Sequence, residues 1–195
     1  MTRKNYDFTE QELKIIKKAL IEVETERVMA VHNLPKAPTV KFMDFLFNTM
    51  LLSSKFQICP LLYGSLGLEY LTKESLNSDD IDVLIPRVYL RERWEEFKTY
   101  LEKYKYTLVD EHEHTFVYRG IYISYAEIEE LEIFAGIKEA EIQEINKDGV
   151  QFKLLSLDQY LKVYNQSSKD GYRIDKRHKK DFDKIKFIER KLGLR

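Results

Sequence analysis

The stretch LLYGSLGLEYLTKESLNSDDIDVLIP, residues 61–86, constrains the fold of this chain more than any other stretch. One apolar run ends at Gly64-Ser65, and a second apolar run begins at Asp80 and Asp82. Short apolar runs bounded by turn residues are typical of buried strands. Because side chains alternate along a strand, Asp80 and Asp82 would share one face. The stretch therefore predicts two buried strands, the second of which begins with a pair of carboxylates.

This arrangement favours a site for a cation and an anion together. Two carboxylates that are close together repel each other unless a cation lies between them, and Mg²⁺ prefers carboxylate and phosphate oxygens. Gly64 allows a tight turn and the close approach of a ligand. Ser65 offers a hydroxyl and an N–H near a predicted helix start, where anions are favoured. The alternative is an ordinary turn followed by a solvated strand end.

The rest of the chain predicts helices on both sides of a β-rich segment. Capping-box spacing predicts that one helix begins at Thr9 and another at Ser156. Gly120 predicts the turn of a β-hairpin. The predicted helices cover residues 9–33, 39–54, 66–73, 88–104, 157–168 and 174–191. The predicted strands are 58–63, 81–85, the two arms of the Gly120 hairpin, LEIFAG at 131–136, and one on each side of the turn at 147–149.

These elements predict an α+β (or α/β) fold, in which a mixed sheet has helices at both ends of the chain. We divide the chain into an N-terminal helix and linker (1–38), a core with the sheet (39–155), and a C-terminal helical segment packed on that core (156–195). The 44% hydrophobic content is enough to build a core of this size.

Composition bears on the compartment and on the partners. With 32 basic and 33 acidic residues the net charge is −1, so bulk charge does not favour nucleic acid or an anionic membrane, although nucleic acid stays open as a partner. Cys59 is the single cysteine, which suits a reducing compartment. The N-terminus lacks the apolar core of a signal peptide. We therefore expect a soluble cytoplasmic protein.

The motif in residues 61–86 resembles the signature of the nucleotidyltransferase (DNA polymerase β-like) superfamily. That signature is an apolar strand, Gly with Gly or Ser, a spacer, and Asp-apolar-Asp at the head of another strand. Gly64-Ser65 and Asp80-Ile81-Asp82 match it, with a spacer slightly longer than is common.

The C-terminal segment is similar to the closing region of small antibiotic-modifying and AbiEii-like nucleotidyltransferases. There a strand and a helix precede a basic segment and then a helix with a Lys-Asp-apolar-Asp pattern. Lys180, Asp181 and Asp183 stand in that pattern. The resemblance spans roughly residues 40–192.

The resemblance implies metal-dependent transfer of a nucleoside monophosphate from a nucleoside triphosphate to a hydroxyl acceptor. The third carboxylate of the family lies on a later strand, where Glu132 fits and Glu127 and Glu130 are alternatives. Asp80, Asp82 and Glu132 would hold two Mg²⁺ ions, or Mn²⁺ in their place. Glu132 would otherwise take the proton of the acceptor.

The phosphates would be bound by Gly64 and Ser65, and further cations must neutralise their charge. Arg173 and Arg177 lie one helical turn apart and are the predicted source; Arg177 is alternatively half of a surface ion pair with Asp181. The acceptor is a small molecule, a protein or an RNA end. The alternative functions are a nucleotide- or partner-binding module with this fold and little turnover, and a structural protein in which the motif is a coincidence.

Overall fold

The computed structural model describes residues 10, 11, 14, 39–169 and 171–194, with side chains for all of these except 39 and 171–180. The helix predicted over residues 9–33 and the boundary predicted at residue 38 fall almost wholly outside the described residues. From residue 39 onward, the described residues form an α+β fold in which helices flank a mixed sheet, as the sequence predicts.

The described residues contain a seven-stranded sheet. Its strands are β1 (Leu61–Tyr63), β2 (Ile81–Ile85), β3 (Thr107–Asp110), β4 (Thr115–Tyr118), β5 (Ile121–Glu127), β6 (Gln143–Lys147) and β7 (Val150–Leu154). Their order across the sheet is β3-β4-β5-β2-β1-β7-β6. β2 is antiparallel to β1 and parallel to β5, while β1 is parallel to β7. The two strands of the sequence motif are therefore neighbours at the centre of the sheet.

The helices lie on both faces of this sheet. They are α1 (Thr39–Phe56), α2 (Gly64–Thr72), α3 (Trp94–Lys103), α4 (Glu130–Ala135), α5 (Leu157–Ser167) and α6 (Gly171–Lys191), with 3-10 turns at Arg87–Tyr89 and Glu139–Glu141. At the start of α5 the predicted capping box is present, because the Ser156 hydroxyl accepts a hydrogen bond from the Gln159 N–H at 3.3 Å. Among the described helices, none is both long enough and apolar enough to cross a lipid bilayer.

The central strand β2 is buried on both faces. Val83 belongs to a hydrophobic cluster that includes Phe97 of α3, whereas Leu84 points to the other face and joins a cluster with Tyr160 of α5 and Ile188 of α6. Full burial of one such side chain stabilises the fold by about 1.5–3 kcal/mol. The two C-terminal helices are thus held over the second face of the sheet by apolar contacts.

Both predicted hairpin turns are confirmed. The turn between β4 and β5 has positive φ at Arg119 (54°) and Gly120 (81°), and the turn between β6 and β7 has positive φ at Asp148 (52°) and Gly149 (88°). Two successive residues with positive φ are characteristic of the type I′ turn, whose twist matches that of the flanking strands. These local signals therefore set the register of both hairpins.

The strand predicted over LEIFAG is wrong, because residues Glu130–Ala135 form helix α4. Leu131 is buried and Phe134 and Ala135 are half-buried, so the inward positions follow the i, i+3, i+4 spacing of a helix. Ile133, which a strand would place on the same face as Leu131, is 86% exposed. Gly136 ends the helix with a left-handed φ of 64°.

The helix predicted over residues 88–104 is shorter than expected. A 3-10 turn at Arg87–Tyr89 comes first, and α3 begins only at Trp94. The hydroxyl of Tyr89 donates a hydrogen bond to the Phe56 carbonyl at 3.0 Å. This contact ties the first turn of the predicted helix to the end of α1 instead of extending α3.

Helix α2 packs unusually close to its neighbours at Gly67. A Cβ atom at this position would lie 2.1 Å from the Tyr160 hydroxyl and 2.6 Å from the Leu62 carbonyl oxygen. The same hydroxyl donates a hydrogen bond to the Leu62 carbonyl at 3.4 Å. Residue 67 must therefore be small for β1, α2 and α5 to meet.

We expect Gly67→Ala to lower the free energy of unfolding by about 1–3 kcal/mol, because the new methyl group collides with packed atoms. The direction of this change in unfolding free energy is informative, since alanine is ordinarily more favourable than glycine inside a helix by about 1 kcal/mol. Urea denaturation of the single variants and of the double variant with Tyr160→Phe measures the effect. The loss of stability in the double variant should be smaller than the sum of the losses in the two single variants, because Tyr160→Phe removes the hydroxyl oxygen nearest to the new methyl group. A Gly67→Ala protein as stable as the wild type would contradict the close packing.

Candidate functional site

A cavity of about 650 Å³ lies where the start of β2 and the junction between β1 and α2 face helices α5 and α6. The sheet side contributes Tyr63, Gly64, Ser65, Leu76, Asn77, Asp79, Asp80 and Asp82, and the helical side contributes Tyr160, Val163, Tyr164, Ser167, Asp181, Asp183, Lys184, Phe187 and Arg190. The motif in residues 61–86 and the C-terminal helices therefore form one site. Its volume is in the range of small-molecule pockets.

Gly64 lies directly against the side chain of Asp82. Tyr63 is paired with Asp82 across the β1–β2 ladder, and the chain turns at Gly64 with φ of +64° to begin α2. A Cβ atom on Gly64 would lie 2.0 Å from Oδ2 of Asp82. The carboxylate thus occupies the space that any other residue at position 64 would fill.

The N-terminus of α2 lies at this same point. Tyr63 is its N-cap residue, and the Tyr63 side chain makes no capping hydrogen bond. The first N–H groups of a helix have no partner within the helix, and they carry a partial positive charge. Gly64 and Ser65 therefore bring an anion-binding element to the cavity beside the Asp82 carboxylate.

Two tyrosines of α5 line the cavity with their side chains buried. Burial raises the pKa of both Tyr160 and Tyr164 well above the ordinary value, and neighbouring tyrosines and the charge of Asp82 add to the shift. Their hydroxyls therefore keep their protons at neutral pH. In this state they can donate hydrogen bonds but cannot act as bases.

Asp181 of α6 is a buried carboxylate on the helical side of the cavity. Its Oδ2 atom accepts a hydrogen bond from the Ser167 hydroxyl at 2.9 Å, and only 6% of Asp181 is exposed. Asp183, two residues further along, lines the same cavity but is exposed. The two aspartates of the C-terminal sequence pattern thus reach the site in different environments.

Carboxylates outnumber cations among the described side chains of the cavity. Lys184 and Arg190 supply positive charge, and Lys184 also lies over the Tyr164 ring at 4.9 Å from its centroid. Five aspartates supply negative charge: Asp79, Asp80, Asp82, Asp181 and Asp183. A bound cation would reduce the repulsion among these carboxylates.

The four predicted residues of the first motif are brought together. Gly64, Ser65, Asp80 and Asp82 all line the cavity. Glu132 is not brought to them, because it lies on α4, where it is exposed, and not on a strand of the sheet. Within the described part of the chain, no group of three or more His, Cys, Asp or Glu side chains is placed to hold a metal ion. The predicted triad with Glu132 is therefore not formed.

The neighbouring strand β5 carries no carboxylate at the level of the motif. Ser124 stands beside Asp82 in the β2–β5 ladder, whereas Glu127 stands beside Ile85 at the other end of β2. There Glu127 accepts a hydrogen bond from Arg91 at 3.1 Å. Glu130, the remaining alternative, is exposed in the first turn of α4 and does not line the cavity. None of the three predicted glutamates completes the site.

Arg173 and Arg177 were predicted to neutralise phosphate charge. Their backbone belongs to α6, but their side chains lie outside the described part of the structure. The described cations at the cavity are Lys184 and Arg190, which sequence reasoning missed. A usable signal existed, because positions 183, 184, 187 and 190 follow the i, i+3, i+4 spacing of one helical face.

The fold and the cavity define an α+β protein in which a helix N-terminus and the aspartates at the start of β2 lie at a single site. No family model matches the chain. It is 38% identical over 149 residues to the uncharacterized protein YnaI of Bacillus subtilis (strain 168), a match that covers 76% of this chain and 96% of YnaI. The chain therefore belongs to the same family as YnaI.

The contact between Gly64 and Asp82 can be tested with a matched glycine. Gly136 has the same φ of +64°, but a Cβ atom there would meet nothing within 4 Å. We expect Gly136→Ala to cost only the strain of a left-handed alanine, about 1–2 kcal/mol. Gly64→Ala should cost about 1–3 kcal/mol more, because it adds the collision with the carboxylate.

Denaturant unfolding of both variants measures this difference. Adding Asp82→Ala to Gly64→Ala should recover most of the excess loss, since it removes the atoms that collide. Equal losses for Gly64→Ala and Gly136→Ala would show that the carboxylate does not lie against Gly64.

Proposed function

We propose that this protein binds a nucleoside triphosphate with Mg²⁺ in the cavity and transfers a nucleoside monophosphate to a hydroxyl acceptor. The observation that carries the proposal is the contact of Asp82 with Gly64 at the N-terminus of α2. An anion-binding element and a cation-binding carboxylate are thereby adjacent, and a metal–triphosphate complex requires both. The resemblance to nucleotidyltransferases supports the same assignment.

The terminal phosphates are assigned to the start of α2. The N–H groups of Gly64 and Ser65, together with the Ser65 hydroxyl, are the donors at that point. Lys184 and Arg190 on α6 add positive charge from the opposite wall. Arg173 and Arg177, on the earlier turns of α6, remain proposed partners for the same phosphates.

Asp80 and Asp82 would hold the metal, and their chemistry fits a hard cation. Asp80 directly precedes β2 and Asp82 is its second residue, both line the cavity, and the cavity around them is rich in further aspartates. Mg²⁺, or Mn²⁺ in its place, would join these carboxylates to phosphate oxygens and would reduce charge repulsion at the reacting phosphate. Because Glu132 is not brought to the pair, phosphate oxygens and water would supply the remaining ligands.

A transferase also needs a group that takes the proton of the acceptor hydroxyl. Ser124 stands where a carboxylate on β5 would do this, and a serine is too weak a base. Two carboxylates of α6 line the cavity: Asp181 is buried and already accepts the Ser167 hydroxyl, while Asp183 is exposed. We assign the role to Asp183, since an acceptor can reach it.

The position of Ser124 favours a second candidate, a nucleotide- or partner-binding module with this fold and little turnover. Such a module needs the phosphate and metal elements but no base. The two functions make the same prediction for ligand binding and differ only in turnover. They can therefore be separated by measuring both.

We assign the protein to the cytoplasm. Nucleoside triphosphates and Mg²⁺ are abundant there, and the lone Cys59 would remain reduced. The acceptor would be a small molecule, a protein or an RNA end, and the net charge of −1 gives no support to a large RNA.

Ligand binding is tested by thermal unfolding with each of the four nucleoside triphosphates and Mg²⁺. A ligand at 100 times its Kd stabilises a protein by about 2.7 kcal/mol, which raises the Tm of a domain of this size by about 5–10 °C. We expect a shift of this size for the wild type and none for the Asp80→Asn, Asp82→Asn double variant. Without ligand, the double variant should be at least as stable as the wild type, because it relieves repulsion between the two carboxylates.

Glu132→Gln is the matched control for this measurement. It makes the same chemical change, but at an exposed carboxylate that does not line the cavity. Its ligand-induced shift should equal that of the wild type. An undiminished shift in the double variant would refute the assignment of Asp80 and Asp82.

Turnover is tested by the release of pyrophosphate in the presence of small hydroxyl compounds, proteins or RNA. We expect Asp183→Asn to lower the rate about 10²- to 10⁴-fold while nucleotide binding is retained, because a lost general base has this effect. Asp181→Asn is the comparison, since it makes the same change two residues away at a carboxylate that is not exposed. If the wild type binds nucleotide and releases no pyrophosphate with any acceptor class, the binding module is the correct function.

A further inference from the structure

The loop between α2 and β2 carries part of the proposed metal site and has no regular structure. It covers residues 73–80 and includes Asp79 and Asp80, which both line the cavity. Lys73 and Asn77 have positive φ values of 60° and 54°. Such a segment has many accessible conformations, so something outside it must fix the position of Asp80.

Glu69 supplies that support from helix α2. Its Oε1 atom accepts hydrogen bonds from the N–H groups of Leu76 at 2.7 Å and Ser78 at 3.0 Å. Its Oε2 atom accepts a hydrogen bond from the Ser78 hydroxyl at 2.9 Å. Only 4% of Glu69 is exposed. Hydrogen bonds to a carboxylate are stronger than neutral ones, and burial strengthens them further.

Ser78 is also held from the opposite side. The ammonium group of Lys41, on α1, donates a hydrogen bond to the Ser78 carbonyl oxygen. The N–H, the hydroxyl and the carbonyl of Ser78 are therefore all bound to charged side chains of two different helices. This makes Ser78 a fixed point of the loop, two residues before Asp80.

We propose that Glu69 is a positioning residue for the metal site. It does not line the cavity, but it fixes Ser78 so that Asp80 enters β2 on the same face as Asp82. The proposal rests on the proposed function, since it assumes that a divalent cation binds to this pair. It also accounts for the long spacer between Gly64-Ser65 and Asp80, because the extra residues form a loop that α2 itself anchors.

The test is the affinity of the full chain for Mn²⁺ alone, measured by titration calorimetry at a temperature where circular dichroism shows every variant to be folded. Glu69→Ala removes all three side-chain hydrogen bonds and should raise the Kd about 10- to 100-fold, the usual effect of losing a residue that orients metal ligands. Glu69→Gln keeps one acceptor oxygen and should restore most of the affinity. Hydrogen exchange at Leu76 and Ser78 should become faster in Glu69→Ala.

Glu129→Ala is the matched control. Glu129 likewise accepts hydrogen bonds from a backbone N–H, that of Arg87 at 3.0 and 3.2 Å, but beyond the other end of β2. The Glu129→Ala substitution should lower the stability of the protein and leave its Mn²⁺ affinity at the wild-type value. If the wild type binds Mn²⁺ and Glu69→Ala binds it equally well, the positioning role is refuted while the proposed function stands. If the wild type binds Mn²⁺ only when a nucleoside triphosphate is present, the same variants are compared under that condition. If it binds Mn²⁺ under neither condition, the proposed function fails and this inference fails with it.

Discussion

The contact between the Asp82 carboxylate and Gly64 is the constraint on which the candidate site depends. The β1–β2 ladder places Tyr63 opposite Asp82, so the chain must turn into α2 directly over that carboxylate. A side chain at position 64 would collide with the carboxylate, and the positive φ disfavours residues other than glycine as well. A helix N-terminus, which attracts anions, and a carboxylate, which attracts cations, are therefore held side by side by the backbone itself.

The helical wall depends on a different interaction, the burial of apolar surface. Leu84 of β2 packs with residues of α5 and α6, and this cluster holds Tyr160, Asp181 and their neighbours against the sheet. The acidic character of the cavity is thus produced by two elements that are distant in sequence. The aspartates at the start of β2 and those of α6 line the same cavity only because the helices pack on the sheet.

Local signals made much of the fold predictable. The bounds of β2, the turn at Gly120 and the capping box at Ser156 each depend on residues close together in the chain, and all three predictions are confirmed. LEIFAG was mistaken for a strand because alternation at Leu131 and Ile133 competes with helical spacing over only six residues. Because this segment is a helix, Glu132 does not take the position predicted for the third carboxylate. The spacing of Lys184 and Arg190 places them on one helical face, but that this face of α6 meets the cavity depends on how the helix docks, which the local pattern does not encode.

The docking of α6 on the sheet has a consequence for how this protein folds during synthesis. The chain is synthesised from its N-terminus, so the strands with Gly64 and Asp82 exist before the helix with Asp183 and Arg190. Until that helix docks, Leu61 and Leu84 lack part of their apolar cover, and the cavity lacks the part of its wall that α6 forms. A ligand that touches both walls binds only the completed fold, and by linkage it stabilises the attachment of the last helix. Ligand binding at the site and the docking of α6 on the sheet would then be coupled, so that each favours the other.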